Sequence, residues 1–513
     1  MDRPRQLLHE AIREEAQKLI RRHERYAKDL HDEFLRRNRR AGTNNVKQVL
    51  RPSYWEVDPG FNPYIVRSRF ERIAYSVKRS LRARQYHPRA AIGYTVAKGD
   101  GTNRTVSVFQ IADAAVSKLV FKSLLQKNRA RLSSYSFAYR SDLTVHDAIR
   151  YIAAEMRGKD RVFVAEYDFR TYFDSVNHDH VWRILREQGF LMTDVEQRVI
   201  HEFLTTPTVL ESDYKRPNAK RREQGLPQGT SLSLFLANVA AWPLDRSLER
   251  LGVGFARYAD DTLIWSSDYG SLCRAVEALA ETGRAIGASV NFAKSHGISI
   301  LSPELAPVEF KAKKAVEFVG YSFSSNAIAI RDSALRRIKA RIAGLVYQNL
   351  LEQPKRGNFV PSRFAPPVDR DYVVMIYQLR RYLYGNLSER KLRMQLNRVV
   401  PRVHYKGVMA FYPLVDAPGF LEALDGWLVH LVWTTQRRRG VLLRAAGYQN
   451  LPDPFGLSKD KMINFRGYTS QGEKLDLRLP SFARMAKLLT RAARTHGANA
   501  IGHTLSNQYY VLA

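Results

Sequence analysis

The stretch GVGFARYADDTLIWSS, residues 252–267, places two strand-like runs on either side of Ala259-Asp260-Asp261. Gly252 to Tyr258 and Thr262 to Trp265 are rich in apolar and aromatic residues. Two adjacent acids are poor strand formers, so the spacing predicts a hairpin with Asp260 and Asp261 at its tip. Neighbouring carboxylates repel unless something positive lies between them, and a divalent cation meets that need. Asp261 is the weaker ligand, because its side chain points to the opposite side of the strand from its neighbour.

A second carboxylate lies upstream, in RVFVAEYDFRTYFDSV, residues 161–176. Val162, Val164, Glu166 and Asp168 share one face under period-two alternation, which puts Asp168 at the end of that strand. Phosphoryl transfer gives a reason to bring such groups together. Two Mg²⁺ ions about 3.5–4 Å apart activate an attacking 3′-hydroxyl and stabilise a leaving pyrophosphate. Mg²⁺ favours carboxylate oxygens and substrate phosphates over a full protein cage. Asp168 and Asp260 could supply that set, with Mn²⁺ as a substitute ion, although an isolated acid pair is more often a pair of turn acids.

Working outward, YTVAKGDGTNRTVSVF (94–109) alternates on both sides of Gly99-Asp100-Gly101 and predicts a hairpin. From Pro4 to about Arg40, apolar residues at Leu8, Ile12, Leu19, Ala27, Leu30 and Phe34 predict one long amphipathic helix with a basic outer face. That face suits nucleic acid, another subunit, or plain solvent. Residues 41–60, with Gly42, Pro52, Pro59 and Gly60, read as a connecting loop. From about Asp332 the pattern turns helical and basic, interrupted by the Pro-rich stretch 354–368.

Lys plus Arg outnumber Asp plus Glu by 82 to 50 across the 513 residues, a net charge of +32. An excess of that size points to a polyanionic partner, and nucleic acid is the first candidate. Cys273 is the single cysteine. It excludes an internal disulfide framework and speaks against a cysteine zinc site. The first twenty residues are charged throughout and do not read as a secretory signal. No run of about 18 apolar residues occurs, so no membrane span is expected. The expected location is the cytoplasm.

The acid pair sits within a wider pattern. Tyr258-Ala259-Asp260-Asp261 resembles the YADD box of reverse transcriptases, and other segments resemble that family in the same order. Asp168 with Phe173 and Asp174 is similar to its first catalytic motif, D-x-x-x-x-F-D. Gly225-Leu226-Pro227-Gln228-Gly229-Thr230 with Ser233 is similar to its PQG loop, followed by a helix through Phe235 and Asn238. Ser134 to Arg140, then His146-Asp147-Ala148, resembles a stretch of the bacterial and group II intron enzymes. Asn291 to Lys294 resembles the lysine motif, and Phe318-Val319-Gly320-Tyr321 the primer grip. Together these cover about residues 94–325.

The resemblance implies an α+β fold of right-hand polymerase type, with a ferredoxin-like palm sheet and an all-α C-terminal domain. It implies an N-terminal arm and linker at 1–60, fingers at 61–160, a palm at 161–325 and a basic helical domain at 326–513. That last domain would replace the thumb, bind RNA or join subunits. It implies Asp168, Asp260 and Asp261 as catalytic, with the carbonyl of Phe169 assisting as a metal ligand and Lys294 serving the leaving pyrophosphate. Lys98, Arg104, Arg140, Phe173 and Gln228 are its expected dNTP contacts. Pro227, Gln228, Gly229, Phe318, Gly320 and Tyr321 would lie along template and primer. A ring at Phe173 leaves no room for a 2′-hydroxyl, which favours a DNA product.

Intron and retron enzymes usually have Ser-Pro after the PQG loop, whereas this chain has Ser233-Leu234-Phe235-Leu236-Ala237-Asn238. That form resembles bacterial defence-associated reverse transcriptases of the abortive-infection and unknown-group class. The class implies antiphage defence, a noncoding RNA partner, a homo-oligomer and, in some members, priming from a tyrosine, for which Tyr509 and Tyr510 are candidates. A group II intron or other mobile-element enzyme, and an inactive RNA-binding scaffold, are the alternative readings.

Overall fold

Val162, Val164, Leu263 and Trp265 point to one side of a sheet, Ala165, Tyr167, Phe255 and Ile264 to the other, and different parts of the chain cover the two sides. The computed structural model describes residues 3–97, 103–159, 161–215, 219–291, 297–303, 311–397 and 400–501.

The principal elements are α1 (Arg3–Ala41), β1 (Ala91–Ala97), β2 (Asn103–Val108), α2 (Ile111–Asn128), α3 (Val145–Met156) and β3 (Val162–Tyr167). Next come β4 (Thr208–Val209), α4 (Ser231–Ala240), α5 (Trp242–Arg250), β5 (Gly254–Tyr258), β6 (Asp261–Ser266), α6 (Tyr269–Ile286) and β7 (Ile298–Leu301). The short strands β8 (Ala312–Lys313), β9 (Val316–Phe318), β10 (Tyr321–Phe323) and β11 (Ile328–Ile330) follow. Beyond them lie α7 (Asp332–Leu350), α8 (Arg370–Tyr384), α9 (Phe420–Ala445), β12 (Arg466–Tyr468), β13 (Lys474–Asp476) and α10 (Phe482–His496).

The central sheet has the order β5-β6-β3-β7-β8. Its first four strands are antiparallel, and helices link β3 to β5 and β6 to β7. This is the ferredoxin-like arrangement expected of a palm, extended by β8 parallel to β7. The fold is α+β.

One face of the palm sheet is covered by α4, α5 and α6, through Phe235, Leu244 and Leu272, in a core shared with Ile12 of α1 and Leu124 of α2. The other face packs on the C-terminal region, through Ile338 of α7, Ile376 of α8, Leu428 of α9 and Leu489 of α10. Each large apolar side chain buried there contributes about 1.5–3 kcal/mol. The C-terminal region is therefore built into the palm's own core.

Three expectations need correction. Residues 326–513 are not all-α: β11 extends the β9-β10 meander past 325, and β12 pairs with β13 inside the helical region. Residues 41–60 are more than a connector. Tyr54, Trp55 and Phe61 sit in 3₁₀ turns and form a small core with Ile92, because three large rings in one short stretch are worth burying. The 39-residue α1 does not present one uniform face to solvent or a partner. Its first half is docked through Leu8, Ile12, Ala16 and Ile20. Its far end reaches the C-terminal region, where Arg40 Nη1 donates to Asn349 Oδ1 at 2.8 Å and Arg381 pairs with Asp29 at 2.9 Å. At 1.5 Å per residue α1 spans about 58 Å, enough to brace fingers against the C-terminal region.

Candidate active site

Strand register decides which carboxylates meet. Tyr167 of β3 stands opposite Thr262 of β6, and Tyr258 of β5 opposite Asp261. One step further along the antiparallel ladder brings Asp168 level with Asp261, with Asp260 in the turn between β5 and β6. Asp168 and Asp260 are half-buried and Asp261 is exposed. Their faces follow β3's alternation: Val162 and Val164 enter the core shared with the C-terminal region, and Glu166 and Asp168 continue that face toward the open end.

The hairpin tip is held from behind. Ala259 is buried and has φ 61°, a left-handed conformation that non-glycine residues rarely adopt. Its carbonyl accepts from Arg257 Nη1 at 3.0 Å. Arg257 is fully buried and faces the helices. Its Nε and Nη2 donate to the two carboxylate oxygens of Asp245 on α5 at 2.7 and 2.6 Å. Nη1 also donates to Asn238 Oδ1 of α4 at 3.2 Å, and Nη2 to Ser136 Oγ at 2.8 Å. Burial pushes the Asp245 carboxyl up, and the Arg257 guanidinium opposes that rise. Sequence reasoning passed over Arg257. The available signal was a charged residue at an inward position of an otherwise apolar strand.

The segment before α3 forms a further edge on β5. Arg257 N donates to Tyr135 O and Phe137 N to Arg257 O, both at 2.9 Å, as a parallel bridge between Ser136 and Arg257. Asn238 Nδ2 fastens the carbonyl of Ala138 at 2.9 Å. The SYSFAYR segment is thereby tied to the catalytic hairpin and to the helix after the PQG loop.

Beyond Asp168 the chain crosses β3's other neighbour. Asn291 N donates to Asp168 O at 2.8 Å and Arg170 N to Ser289 O at 2.9 Å. Antiparallel alternation then aims the N–H and C=O of Phe169 toward the β6 side, where the acid pair lies. The next turn interlocks with the PQG loop. Gly225 N donates to Val176 O at 2.7 Å, Leu226 N to Phe173 O at 2.6 Å, and Gln228 Nε2 to Asp174 Oδ1 at 3.0 Å. On the loop's other side Ser107 N of β2 donates to Gln228 O at 2.6 Å. Gly229, at φ 137°, lies so close to β2 that a Cβ would stand 2.2 Å from Ser107 O. Gly229→Ala is therefore expected to destabilise the chain by about 1–3 kcal/mol, read as a lower midpoint in thermal unfolding. An unchanged midpoint would mean that β2 does not press on this loop.

The donor set suits a hard cation. Asp168, Asp260, Asp261 and a peptide carbonyl offer only oxygen, the set Mg²⁺ completes with substrate phosphates and water. Among the described residues no group of three or more His, Cys, Asp or Glu converges as a ready-made metal cage.

Residues 96–323 match the family model described as reverse transcriptase (RNA-dependent DNA polymerase). The chain carries a reverse transcriptase domain. Such domains belong to nucleotidyltransferases, and the matched span runs from the fingers hairpin to the end of β10. No curated protein matches the chain in sequence. Solved structures similar to it include three of Candida telomerases, from two species. One is the apo telomerase of Candida tropicalis truncated from its C-terminal domain, at 12% identity and TM-score 0.38, covering 50% of this chain and 59% of that one. The telomerase of Candida albicans with a TWJ fragment of telomeric RNA gives 11% and 0.39, over 76% of this chain and 69% of that one. The corresponding Candida tropicalis complex gives 12% and 0.37, over 75% and 68%.

Within the reverse transcriptase domain the other expected contacts fall in different places. Arg104 is exposed on β2 opposite Val96. Phe173 is half-buried, with Tyr139 set edge-on to it at 6.5 Å. Arg140 is turned inward: its side chain clamps Asp142 at 3.0 and 2.6 Å and donates to Ser133 O at 2.5 Å. That geometry orders the loop rather than offering a guanidinium to a triphosphate.

The grip hairpin β9-β10 turns at Val319 and Gly320, both with positive φ. Phe318 and Tyr321 face the core, and the Tyr321 hydroxyl donates to Phe411 O at 2.5 Å. Glu317 N donates to Glu166 Oε1 at 3.0 Å, and Lys313 pairs with the same carboxylate, so this hairpin abuts the catalytic strand. Lys98, Lys294, Tyr509 and Tyr510 lie outside the described residues. Among the described residues no helix is long and apolar enough to cross a membrane.

Proposed function

We propose that the protein is an RNA-templated DNA polymerase, joining dNTPs by two-metal phosphoryl transfer and working in antiphage defence with a noncoding RNA. The observation that supports it most directly is the register that brings Asp168 level with the Asp260–Asp261 turn. Asp168, Asp260 and the carbonyl of Phe169 would hold two divalent cations, Mg²⁺ or Mn²⁺, with Asp261 in support. Bound there, the ions supply activation of the 3′-hydroxyl and charge neutralisation at the pyrophosphate. Arg104, with Lys98, is suited to the triphosphate through charge. Lys294 is assigned to the departing pyrophosphate. Pro227, Gln228 and Gly229 form the template-side loop, while Phe318, Gly320 and Tyr321 shape the primer side from behind.

Phe173 is assigned the sugar. Phe173→Ala is expected to raise ribonucleotide incorporation relative to deoxynucleotides by about tenfold or more, measured as the ratio of the two kcat/KM values. An unaltered ratio would remove Phe173 from that role.

The defence setting rests on the Ser233 to Asn238 form of the helix after the PQG loop. A homo-oligomer and priming from Tyr509 or Tyr510 belong to the same reading. The purified chain with Mg²⁺, labelled dNTPs and an RNA template–primer tests the chemistry. Sequencing of copurifying nucleic acid and of DNA made in cells tests the setting. No incorporation under any template or primer condition would leave the inactive RNA-binding scaffold, and copurifying intron RNA with its own splice sites would favour the mobile-element enzyme.

A further inference from the structure

Tyr139 is a tyrosine in a glycine's conformation, at φ 61°, one residue past the segment that edges the catalytic hairpin. Parallel pairing sets Ser136 beside Arg257. Tyr139 lies in the turn that follows this bridge, three residues beyond Ser136. The backbone on both sides is fixed. Asn238 holds the carbonyl of Ala138, and the Arg140 side chain is locked onto Asp142 and Ser133 O. A strained residue held from both sides has been kept in place by its surroundings, and such residues cluster where a ligand is positioned.

Aromatic and charged groups act on the ring. Phe173 meets it edge-on at 6.5 Å. The phenol is pushed up chiefly by burial and next by the Asp260 charge, whereas Arg257 and, after it, Arg104 of the fingers pull it down. The side chain is nevertheless only half-buried. Tyr139 therefore stands against Phe173, assigned to the sugar, and within electrostatic reach of Asp260, assigned to the metals, and Arg104, assigned to the triphosphate.

We propose that Tyr139 is a nucleotide-contacting residue whose ring and hydroxyl close the sugar–phosphate side of the incoming dNTP opposite Phe173. This rests on the polymerase reading above. The ring walls the sugar together with Phe173, and the phenol supplies a hydrogen bond that a phenyl ring lacks. The strain at Tyr139 is retained because no residue that relaxes it brings a phenol to that spot.

That last point separates a ligand role from a structural one. Asn enters the left-handed region several times more readily than bulky residues. Tyr139→Asn, Tyr139→Ala and Tyr139→Phe are compared with the wild-type full chain. Equilibrium binding of radiolabelled dATP with Mg²⁺, thermal unfolding, and KM and kcat for dNTPs on an RNA template–primer are measured. Tyr139→Asn is expected to unfold no earlier than wild type while dATP affinity falls and KM rises by about tenfold. Its kcat should change less. Tyr139→Phe, which keeps the ring, should lie between wild type and Tyr139→Asn. Unchanged dATP affinity in the Asn and Ala variants would overturn the proposal. So would affinity that falls only in step with the unfolding midpoint. A wild-type chain that binds dATP yet incorporates nothing would sink the polymerase reading, with Tyr139 still decided by the binding data. A wild-type chain that binds no dATP would overturn both.

Discussion

Asp260→Asn is expected to lower dNTP incorporation by about a thousandfold, because it removes one of the two carboxylates assigned to hold the catalytic cations. Asn keeps the volume and one oxygen, so the turn between β5 and β6 should survive. Stability should hold or rise slightly, since Asp168 and Asp261 lie on the same rim and like charges repel there. Incorporation of labelled dNTP on an RNA template–primer, with thermal unfolding beside it, measures both effects. Undiminished incorporation would remove Asp260 from the chemistry and with it the reason for the whole assignment.

The second large effect is expected behind the site. Arg257→Met leaves Asp245 charged, buried and unpaired, a change that costs about 3–5 kcal/mol. Urea unfolding should show the loss. The double variant Arg257→Met, Asp245→Leu removes both charges and should recover most of that stability, because an apolar pair of similar volume is often as stable as a buried ion pair. Activity should not recover with it. The double variant still lacks the guanidinium that binds the Ala259 carbonyl, the Asn238 amide and the Ser136 hydroxyl. Recovery of both together would mean that Arg257 serves only the core.

The carboxylates and both their strands were legible because each motif is local. Period-two alternation needs only a few residues to place Asp168 at a strand end, and an acid pair between apolar runs needs only a turn. The fingers hairpin was legible for the same reason, and β1 and β2 pair as its alternation requires. The PQG loop was visible as a motif, but the reason for its second glycine was not. Ser107, whose carbonyl excludes a side chain at Gly229, lies more than a hundred residues away. Arg140 shows the converse. Its type suited a phosphate, and the decisive fact was Asp142 two residues on, which takes its guanidinium.

By itself, then, the sequence determined the chemistry on offer: which residues are acids at strand ends, which ring stands near them, and which family pattern they form. It also determined the helical, basic character of the region after Asp332. Tertiary structure alone decided that this region shares a core with the palm, that α1 bridges fingers to it, and that Arg257 stands behind the acid pair. The reason is physical. Alternation and turn chemistry are set by neighbours in sequence, whereas burial of a charge, a left-handed tyrosine and a shared core depend on partners that only folding brings together, from Asp245, twelve residues before Arg257, to Asn238, a hundred residues beyond Ala138.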